Sequence, residues 1–220
     1  MRQETIVRVD HIFIFTDPDG EIADDLVKFG LTEGSSRVHA GQGTTNRKFY
    51  FENFFLEILW VHNPKEINSE PALSSGLGVR AKNSDHGFSP FGLCLVNTKE
   101  SDALFTDAFP YQPNYFPQGM AVDVLKNEEQ SELPWTFRLP FKGPKKYENE
   151  PKSHRNGISV LDKALFEYPE SSSQQYTDFF KHSEQVFFKP SNRVWLTLYF
   201  DQGRQEKIKS FEPLKLTIAY

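Results

Sequence analysis

The chain has 220 residues, a formal net charge of −5 at neutral pH, 38% hydrophobic residues and a single cysteine, Cys94. This composition supports a sizeable buried core and excludes an intrinsically disordered chain. The negative charge disfavours nucleic acid or an anionic membrane as a partner. One cysteine excludes an intramolecular disulfide and a cysteine-rich metal site. Since no apolar run is long enough to span a membrane, we expect a soluble, cytoplasmic protein.

Residues 1–62 predict a first module in the order strand, helix, strand, strand, strand. Residues 6–15 alternate and are rich in Val, Ile and Phe, which is typical of a strand. Turn residues at 16–20 precede a short amphipathic helix that Gly30 is placed to end. An irregular strand is expected within residues 31–38. Two further strands are predicted at residues 47–51 and 54–61.

The same order of elements recurs twice further along the chain. Residues 63–87 are polar and predict a linker, and residues 88–141 predict a second module with a short helix near residues 99–109. Residues 142–153 form a second charged linker. Residues 154–220 predict a third module, with a helix at residues 171–182 between strands, packed with the others as one domain. Only the order of elements repeats, not the residues themselves.

A polar patch lies on a glycine-punctuated loop before the third predicted strand. It contains His39, Thr45, Asn46 and Arg47. Arginine can clamp a carboxylate or phosphate, and Asn and Thr can orient carbonyl or hydroxyl oxygens, so the patch predicts ligand binding. The alternative is that the polar side chains satisfy the backbone of an irregular loop, and that Arg47 pairs with a nearby carboxylate.

One strand carries a lone carboxylate, Glu57, among apolar residues. A buried charge costs several kcal/mol unless it is paired, metal-bound or protonated. The best candidate to meet it is His11, in the equally apolar first strand. An imidazole and a carboxylate suit Zn, Fe, Ni or Mn, so the pair predicts a divalent metal site. The alternative is a buried His–Glu hydrogen bond without a metal.

Three other residues are candidates for the same site. His154 and Asn156 precede a strand in a charged segment, where an exposed loop position is the alternative. Trp135 could line a cavity wall, although a Trp in a strand more often belongs to the core. Cys94 lies in an apolar strand and is expected to be inert packing. The sequence contains no phosphate-binding loop before a helix, no serine nucleophile elbow and no zincin helix.

Several segments carry a resemblance to a known family. They are Val9-Asp10-His11-Ile12-Phe13-Ile14, Phe29-Gly30-Leu31, the His39-x-Gly-x-Gly43-Thr44-x-Asn46-Arg47 element, Leu56-Glu57-Ile58-Leu59, Glu132-Leu133-Pro134-Trp135-Thr136-Phe137-Arg138-Leu139-Pro140-Phe141 and His154-Arg155-Asn156-Gly157. In this order they resemble the glyoxalase-like branch of the vicinal oxygen chelate (glyoxalase/bleomycin resistance/dioxygenase) superfamily. The Gly-Thr-x-Asn-Arg element is the most specific part of the match.

The resemblance implies an α+β fold in which repeated βαβββ modules form curved, cupped sheets around a central cleft. It implies that His11 and Glu57 hold a divalent metal, and that His39 or His154 transfers a proton. The substrate contacts that it implies are Thr45, Asn46, Arg47, Trp135 and Asn156. A full metal site normally takes two ligands from each of two modules, and neither later module of this sequence offers a matching pair.

Two functions follow as hypotheses. The first is a divalent-metal-dependent lyase, isomerase or dioxygenase that acts on a small oxygenated compound. The second is a non-catalytic protein that binds or sequesters a small molecule in the same cup, with an incomplete metal site. A third reading is an interaction domain whose cleft is vestigial. Since the resembled modules often pair between chains, a homodimer is also expected.

Overall fold

The computed structural model describes residues 7–16, 19–82, 88–169 and 174–220. Its fold is α+β: two sheets carry most of the chain, and short helices lie outside them. The predicted architecture of repeated βαβββ modules that form a curved sheet around a cleft is confirmed. Four predicted positions lie outside the described residues: the strand start at residue 6, turn residues 17–18, linker residues 83–87 and the helix start at residues 171–173.

The first sheet has eight strands and is built from two modules. The first module supplies β1 (Val9–Phe15), α1 (Ala23–Phe29), β2 (Arg37–His39), β3 (Thr44–Tyr50) and β4 (Phe55–Val61). The second supplies β5 (Phe91–Asn97), a 3₁₀ helix (Lys99–Phe105), β6 (Phe109–Tyr111), β7 (Val122–Leu125) and β8 (Trp135–Lys142). The strand order is β2-β3-β4-β1-β5-β8-β7-β6, so that antiparallel β1 and β5 join the two modules at the centre.

Side-chain alternation gives the curved sheet two different faces. On β1, Ile12 and Ile14 point to the convex side and join the main core, together with Leu26 of α1. Phe13 and Phe15 point to the concave side and pack in a second, smaller cluster with Trp135. Burying each such side chain contributes about 1.5–3 kcal/mol, which holds the sheet between its two layers. The concave face is therefore the one left to form a site.

The third module covers the convex face. It consists of β9 (Leu161–Pro169), α4 (Gln174–Phe179), β10 (Val186–Ser191), β11 (Trp195–Phe200), β12 (Ile208–Phe211) and β13 (Leu216–Ala219). Its five strands form a second sheet in the order β10-β9-β11-β13-β12. The rings of Phe51 and Phe200 lie 4.9 Å apart across the join, and those of Phe91 and Phe166 lie 5.9 Å apart. This module supports the curved sheet from behind.

Several elements differ from the sequence-based prediction. The segment predicted as a linker contains α2 (Pro64–Ile67) and α3 (Leu77–Lys82), and the Asn63 side chain caps α2 at its N-terminus. The irregular strand expected within residues 31–38 is only β2. Strand β6 is an edge strand that was not predicted, because a proline interrupts its three residues. Among the described helices, none has the length and apolar character needed to cross a membrane.

Candidate functional site

The concave face of the eight-stranded sheet encloses a cavity of about 630 Å³, a size typical of small-molecule sites. Strands β1, β3 and β4 of the first module supply its floor and polar wall, and β6, β7 and β8 of the second module supply the facing wall. Five of the residues predicted from sequence or resemblance line it: His11, His39, Asn46, Glu57 and Trp135.

Strand β3 shows which of the predicted polar residues reach the cavity. Asn46, Lys48 and Tyr50 alternate along the strand and all line the cavity. Thr45 and Arg47 fall on the opposite face, because successive side chains of a strand point to opposite sides. The Thr45 hydroxyl donates a hydrogen bond of 3.1 Å to the Arg37 carbonyl oxygen. Both residues are therefore separated from the cavity by the strand itself.

Arg47 is held by carboxylates on the outside of the sheet. Its Nη2 lies 2.6 Å from Glu33 Oε2 and its Nη1 lies 2.8 Å from Asp24 Oδ1. The hydrogen bonds from Arg47 to Glu33, helped by those to Asp24, raise the pKa of the guanidinium above its ordinary value. Arg47 therefore pairs with nearby carboxylates, which is the alternative that the sequence offered for it.

Glu57 lies on the cavity floor and is only 5% exposed. The Asn46 side-chain amide donates a hydrogen bond to Glu57 Oε1. The other carboxylate oxygen, Oε2, lies 4.0 Å from His11 Nε2, which is too far for a direct hydrogen bond. Asn46 is thus the hydrogen-bonding partner that this buried carboxylate requires, and His11 is a neighbour across a gap.

His11 is positioned by a residue that the sequence did not single out. Asp10 is the extra residue of a β-bulge, because Val9 lies opposite Leu95 and His11 opposite Cys94. The distance from His11 Nδ1 to Asp10 Oδ1 is 2.6 Å. This contact places Nδ1 against the Asp10 carboxylate and leaves Nε2 on the side of Glu57.

Two aromatic residues hold His11 in place, Phe55 by stacking and Tyr147 through Asp10. The His11 ring stacks on that of Phe55, with 4.3 Å between centroids and an angle of 11° between planes. The Tyr147 hydroxyl donates a 3.1 Å hydrogen bond to Asp10 Oδ1, so the carboxylate is itself held in place. Tyr147 belongs to the segment that the sequence predicts as a linker, and it also lines the cavity. The imidazole is therefore fixed in both position and tilt.

The donor set does not fit a resident metal ion. Among the described residues, Asp10, His11 and Cys94 bring potential ligand atoms within 4.8 Å of one another. Two ligands about 2.0–2.2 Å from one metal lie roughly 3 Å or more apart, whereas the Asp10–His11 contact is a hydrogen bond of 2.6 Å. Burial raises the pKa of the Cys94 thiol well above its usual value, which disfavours the thiolate that a metal needs.

The pair His11 and Glu57 offers two ligands to the cavity. From the described part of the second module, the strand residues that line the facing wall carry no carboxylate, imidazole or thiol. On β8 they are Trp135, Phe137, Leu139 and Phe141. The ligand set that the resemblance implies is therefore half present, and no described residue completes it.

His39 lies at the edge of the polar wall. Burial lowers its pKa, an effect that the nearby Glu57 carboxylate opposes, so the imidazole is neutral at neutral pH. Its Nδ1 lies 2.8 Å from Thr44 Oγ1, and its ring stacks on Tyr115 with 5.2 Å between centroids. Tyr115 belongs to the segment between β6 and β7, so the contact joins the two modules across the cavity.

Aromatic side chains of the second module dominate the facing wall. The rings of Trp135 and Phe137 lie 4.8 Å apart, and the Trp135 Nε1–H donates a 3.0 Å hydrogen bond to the Ser75 carbonyl oxygen. The hydroxyls of Tyr111 and Tyr115 both donate to Gln42 Oε1, at 3.0 and 3.2 Å. Because their polar atoms are bonded to protein, these rings present flat, apolar surface to the cavity.

His154 and Asn156 lie elsewhere. His154 Nδ1 accepts a 2.9 Å hydrogen bond from the Thr32 backbone N–H, and its ring lies 4.6 Å from that of Phe51. Burial lowers the pKa of His154. Asn156 Oδ1 accepts a 3.2 Å bond from the Ile158 N–H. These residues lie where the third module meets the end of α1, and neither lines the cavity.

The first two modules join in one curved sheet around a cleft. No protein-family model matches the chain, and no curated protein matches its sequence. Membership of the glyoxalase-like branch that the resemblance names is therefore a proposal.

Solved structures match this fold at low sequence identity. A hypothetical protein from Staphylococcus aureus is 10% identical, with a TM-score of 0.59 over 97% of this chain and 98% of that one. A mutant of 4-hydroxymandelate synthase from Streptomyces coelicolor is 9% identical, with a TM-score of 0.46 over 96% of this chain and 61% of that one. A xylose isomerase-like TIM barrel/4-hydroxyphenylpyruvate dioxygenase fusion protein is 11% identical, with a TM-score of 0.48 over 88% of this chain and 36% of that one. The first similarity supports the fold alone, and the other two are too distant to assign an activity.

Proposed function

We propose that this chain is a glyoxalase-like small-molecule-binding protein, which holds an organic ligand in its cup without a resident metal. The observation that carries the proposal is the division of the cavity wall. The first module contributes polar side chains, among them His11, Asn46 and Glu57, beside aromatic rings of its own, and the second contributes the aromatic wall of Trp135 and Phe137. Such a wall suits a compound with an apolar ring at one end and polar atoms at the other.

The two parts of the cavity wall would hold different ends of the ligand. A flat ring would stack on the aromatic wall, where each aromatic contact adds about 0.5–1.5 kcal/mol beyond area burial. Donor groups of the ligand would meet Glu57 Oε2, which is 4.0 Å from its closest imidazole nitrogen, His11 Nε2. A hydroxyl or N–H group of the ligand could bridge that gap. Of the two histidines predicted to transfer a proton, only His39 lines the cavity, and it would contact the ligand beside Asn46.

The proposal gives no ligand contact to four of the residues that the sequence or the resemblance suggested. Thr45 and Arg47 lie on the outer face of β3, and His154 and Asn156 lie at the contact with the third module. Asn46 and Trp135 keep the role in ligand binding that the resemblance implies.

A divalent-metal-dependent lyase, isomerase or dioxygenase is the second candidate. One observation favours it: His11 and Glu57 come from different strands, line one cavity, and have Nε2 and Oε2 4.0 Å apart. A small closing movement would bring these two atoms to the spacing of two ligands on one Zn, Fe, Ni or Mn ion. Two protein ligands are fewer than the three or four of ordinary protein metal sites, which is why this candidate comes second.

Native mass spectrometry with elemental analysis separates the two candidates. The protein is purified without added metal or chelator, in parallel with His11→Ala, Glu57→Ala and the outer-face control Arg47→Ala. We expect no stoichiometric metal in any of them. We also expect binding of aromatic compounds that quenches Trp135 fluorescence, assigned by comparison with Trp135→Phe.

About one metal ion per chain, lost in His11→Ala and Glu57→Ala but kept in Arg47→Ala, would replace the first candidate with the second. Neither metal nor binding of any aromatic compound would reject both. The same spectra report the mass of the assembly and so test the expected homodimer.

A further inference from the structure

We propose that the ligand of this cavity carries a negatively charged group beside its ring, and that Lys48 is the residue that binds this group. The inference rests on the proposed function and deepens it, since it names the charge of the ligand. The chemistry is that of an aromatic monoanion, such as a ring compound with one carboxylate or sulfonate.

The first step is the position of Lys48. It follows Asn46 by two residues on β3, so both side chains point to the concave face, and Lys48 lines the cavity. Its ammonium lies over two aromatic rings, 5.5 Å from the centroid of Tyr50 and 5.9 Å from that of Phe55. The cation therefore lies along the wall of the cup and is only partly exposed.

The second step concerns the counter-ion of this cation. Within the described residues, no carboxylate oxygen lies within 4.0 Å of the Lys48 ammonium, whereas Arg47, the next residue, has two carboxylate partners. Glu57 lies directly across from Lys48 in the strand pairing, but its Oε1 accepts from Asn46. Burial lowers the pKa of Lys48, and the Glu57 and Glu150 carboxylates only partly oppose this effect. A charged ligand group would supply the close counter-ion that the cation lacks.

The third step is the charge balance of the cavity. Its lining includes three cationic side chains, Arg37, Lys48 and Lys145, and two carboxylates, Glu57 and Glu150. Glu150 is engaged by Ser35, whose backbone N–H donates to Oε2 at 2.9 Å. The guanidinium of Arg37 lies 4.7 Å above the Tyr115 ring, and no described carboxylate forms an ion pair with it. Arg37 and Lys145 are exposed to solvent, so Lys48 is the least exposed cation of a lining that carries one more cation than carboxylates.

Two fluorescent probes with the same ring skeleton test the inference. 8-Anilino-1-naphthalenesulfonate carries one negative charge, and N-phenyl-1-naphthylamine is the same molecule without the sulfonate. Each is titrated into the parent protein and into Lys48→Gln, Lys48→Arg and Lys209→Gln. Lys209 is an exposed strand lysine of β12 and is the matched control. Circular dichroism of every variant verifies that it is folded.

We expect the parent to bind the sulfonate about 10- to 100-fold more tightly than the neutral probe, as a charge-assisted hydrogen bond provides. Lys48→Gln should weaken sulfonate binding by about tenfold or more and leave neutral-probe binding within about twofold. Lys48→Arg should retain most of the difference, and Lys209→Gln should match the parent. Raised salt should reduce the difference, because it screens charge.

The possible failures are distinguishable. If both probes bind equally well, or Lys48→Gln does not weaken sulfonate binding, the ligand's charge is not recognised by Lys48 and the inference is overturned, while the small-molecule cup stands. If neither probe binds, or if Phe137→Asp leaves the binding of both unchanged, the aromatic wall is not a binding site. The proposed function would then fail as well.

Discussion

Truncation of Asn46 to alanine should destabilise the protein through a single buried group. Asn46 is 2% exposed, its amide donates to Glu57 Oε1, and its Oδ1 accepts a 2.7 Å hydrogen bond from the Arg37 N–H. A hydrogen bond to a charged group contributes about 1.5–3 kcal/mol and a neutral one about 1 kcal/mol. We therefore expect Asn46→Ala to lower the free energy of unfolding by about 2.5–4 kcal/mol.

A double-mutant cycle with Glu57→Ala isolates the charged bond. Urea unfolding of the parent, the two single variants and the double variant should give a coupling energy of about 1.5–3 kcal/mol between the two side chains. Thr45→Ala is the matched control, because it removes one hydrogen bond from the next residue on the outer face; it should cost about 1 kcal/mol or less. A coupling energy below about 0.5 kcal/mol would refute the argument that Asn46 is the partner of this buried carboxylate.

Two further predictions concern packing and pH. Gly92→Ala should lower the free energy of unfolding by about 1–3 kcal/mol, because its methyl group would overlap the Phe13 ring on the concave face; an unchanged urea midpoint would contradict this. Burial lowers the pKa of His154 from its ordinary value of 6.5, so the unfolded chain takes up a proton at a higher pH than the folded protein does. The stability that the neutral imidazole contributes is therefore complete above about pH 6.5 and is lost as pH falls through the lowered folded-state pKa. Thermal unfolding of His154→Gln should therefore show a smaller loss of stability between pH 7 and 5 than the parent, and His62→Gln, an exposed control, should behave as the parent does.

The sequence predicts the fold well because its strands are apolar runs rich in β-branched and aromatic residues. On β1 and β4 these runs are buried on both faces, and the recurring order of elements predicts the modules. What was missed is short or interrupted. Strand β6 has three residues and contains Pro110, and α2 has four residues. The Asn63-Pro64 pair before α2 is a helix-start signal that could have been used.

The polar residues of β3 show why the site is harder to predict than the fold. Residues 49–51 are three successive aromatics, so the apolar pattern does not decide which parity faces the core. A shift of one residue exchanges the faces, which moves the expected cation from Arg47 to Lys48. The Asp10–His11 contact depends on a β-bulge, a local irregularity that no periodicity in the chain announces. Metal binding by His11 and Glu57 is still a prediction.

The unequal chemistry of the two cavity walls has a consequence for the orientation of the ligand. The first two modules repeat one topology, and a cup with equivalent halves would accept a ligand and its half-turn image alike. Here one half offers charged and amide groups such as Lys48 and Asn46, and the other offers rings such as Phe137. Only one of the two orientations can match both halves, so the protein should distinguish the head of its ligand from its tail.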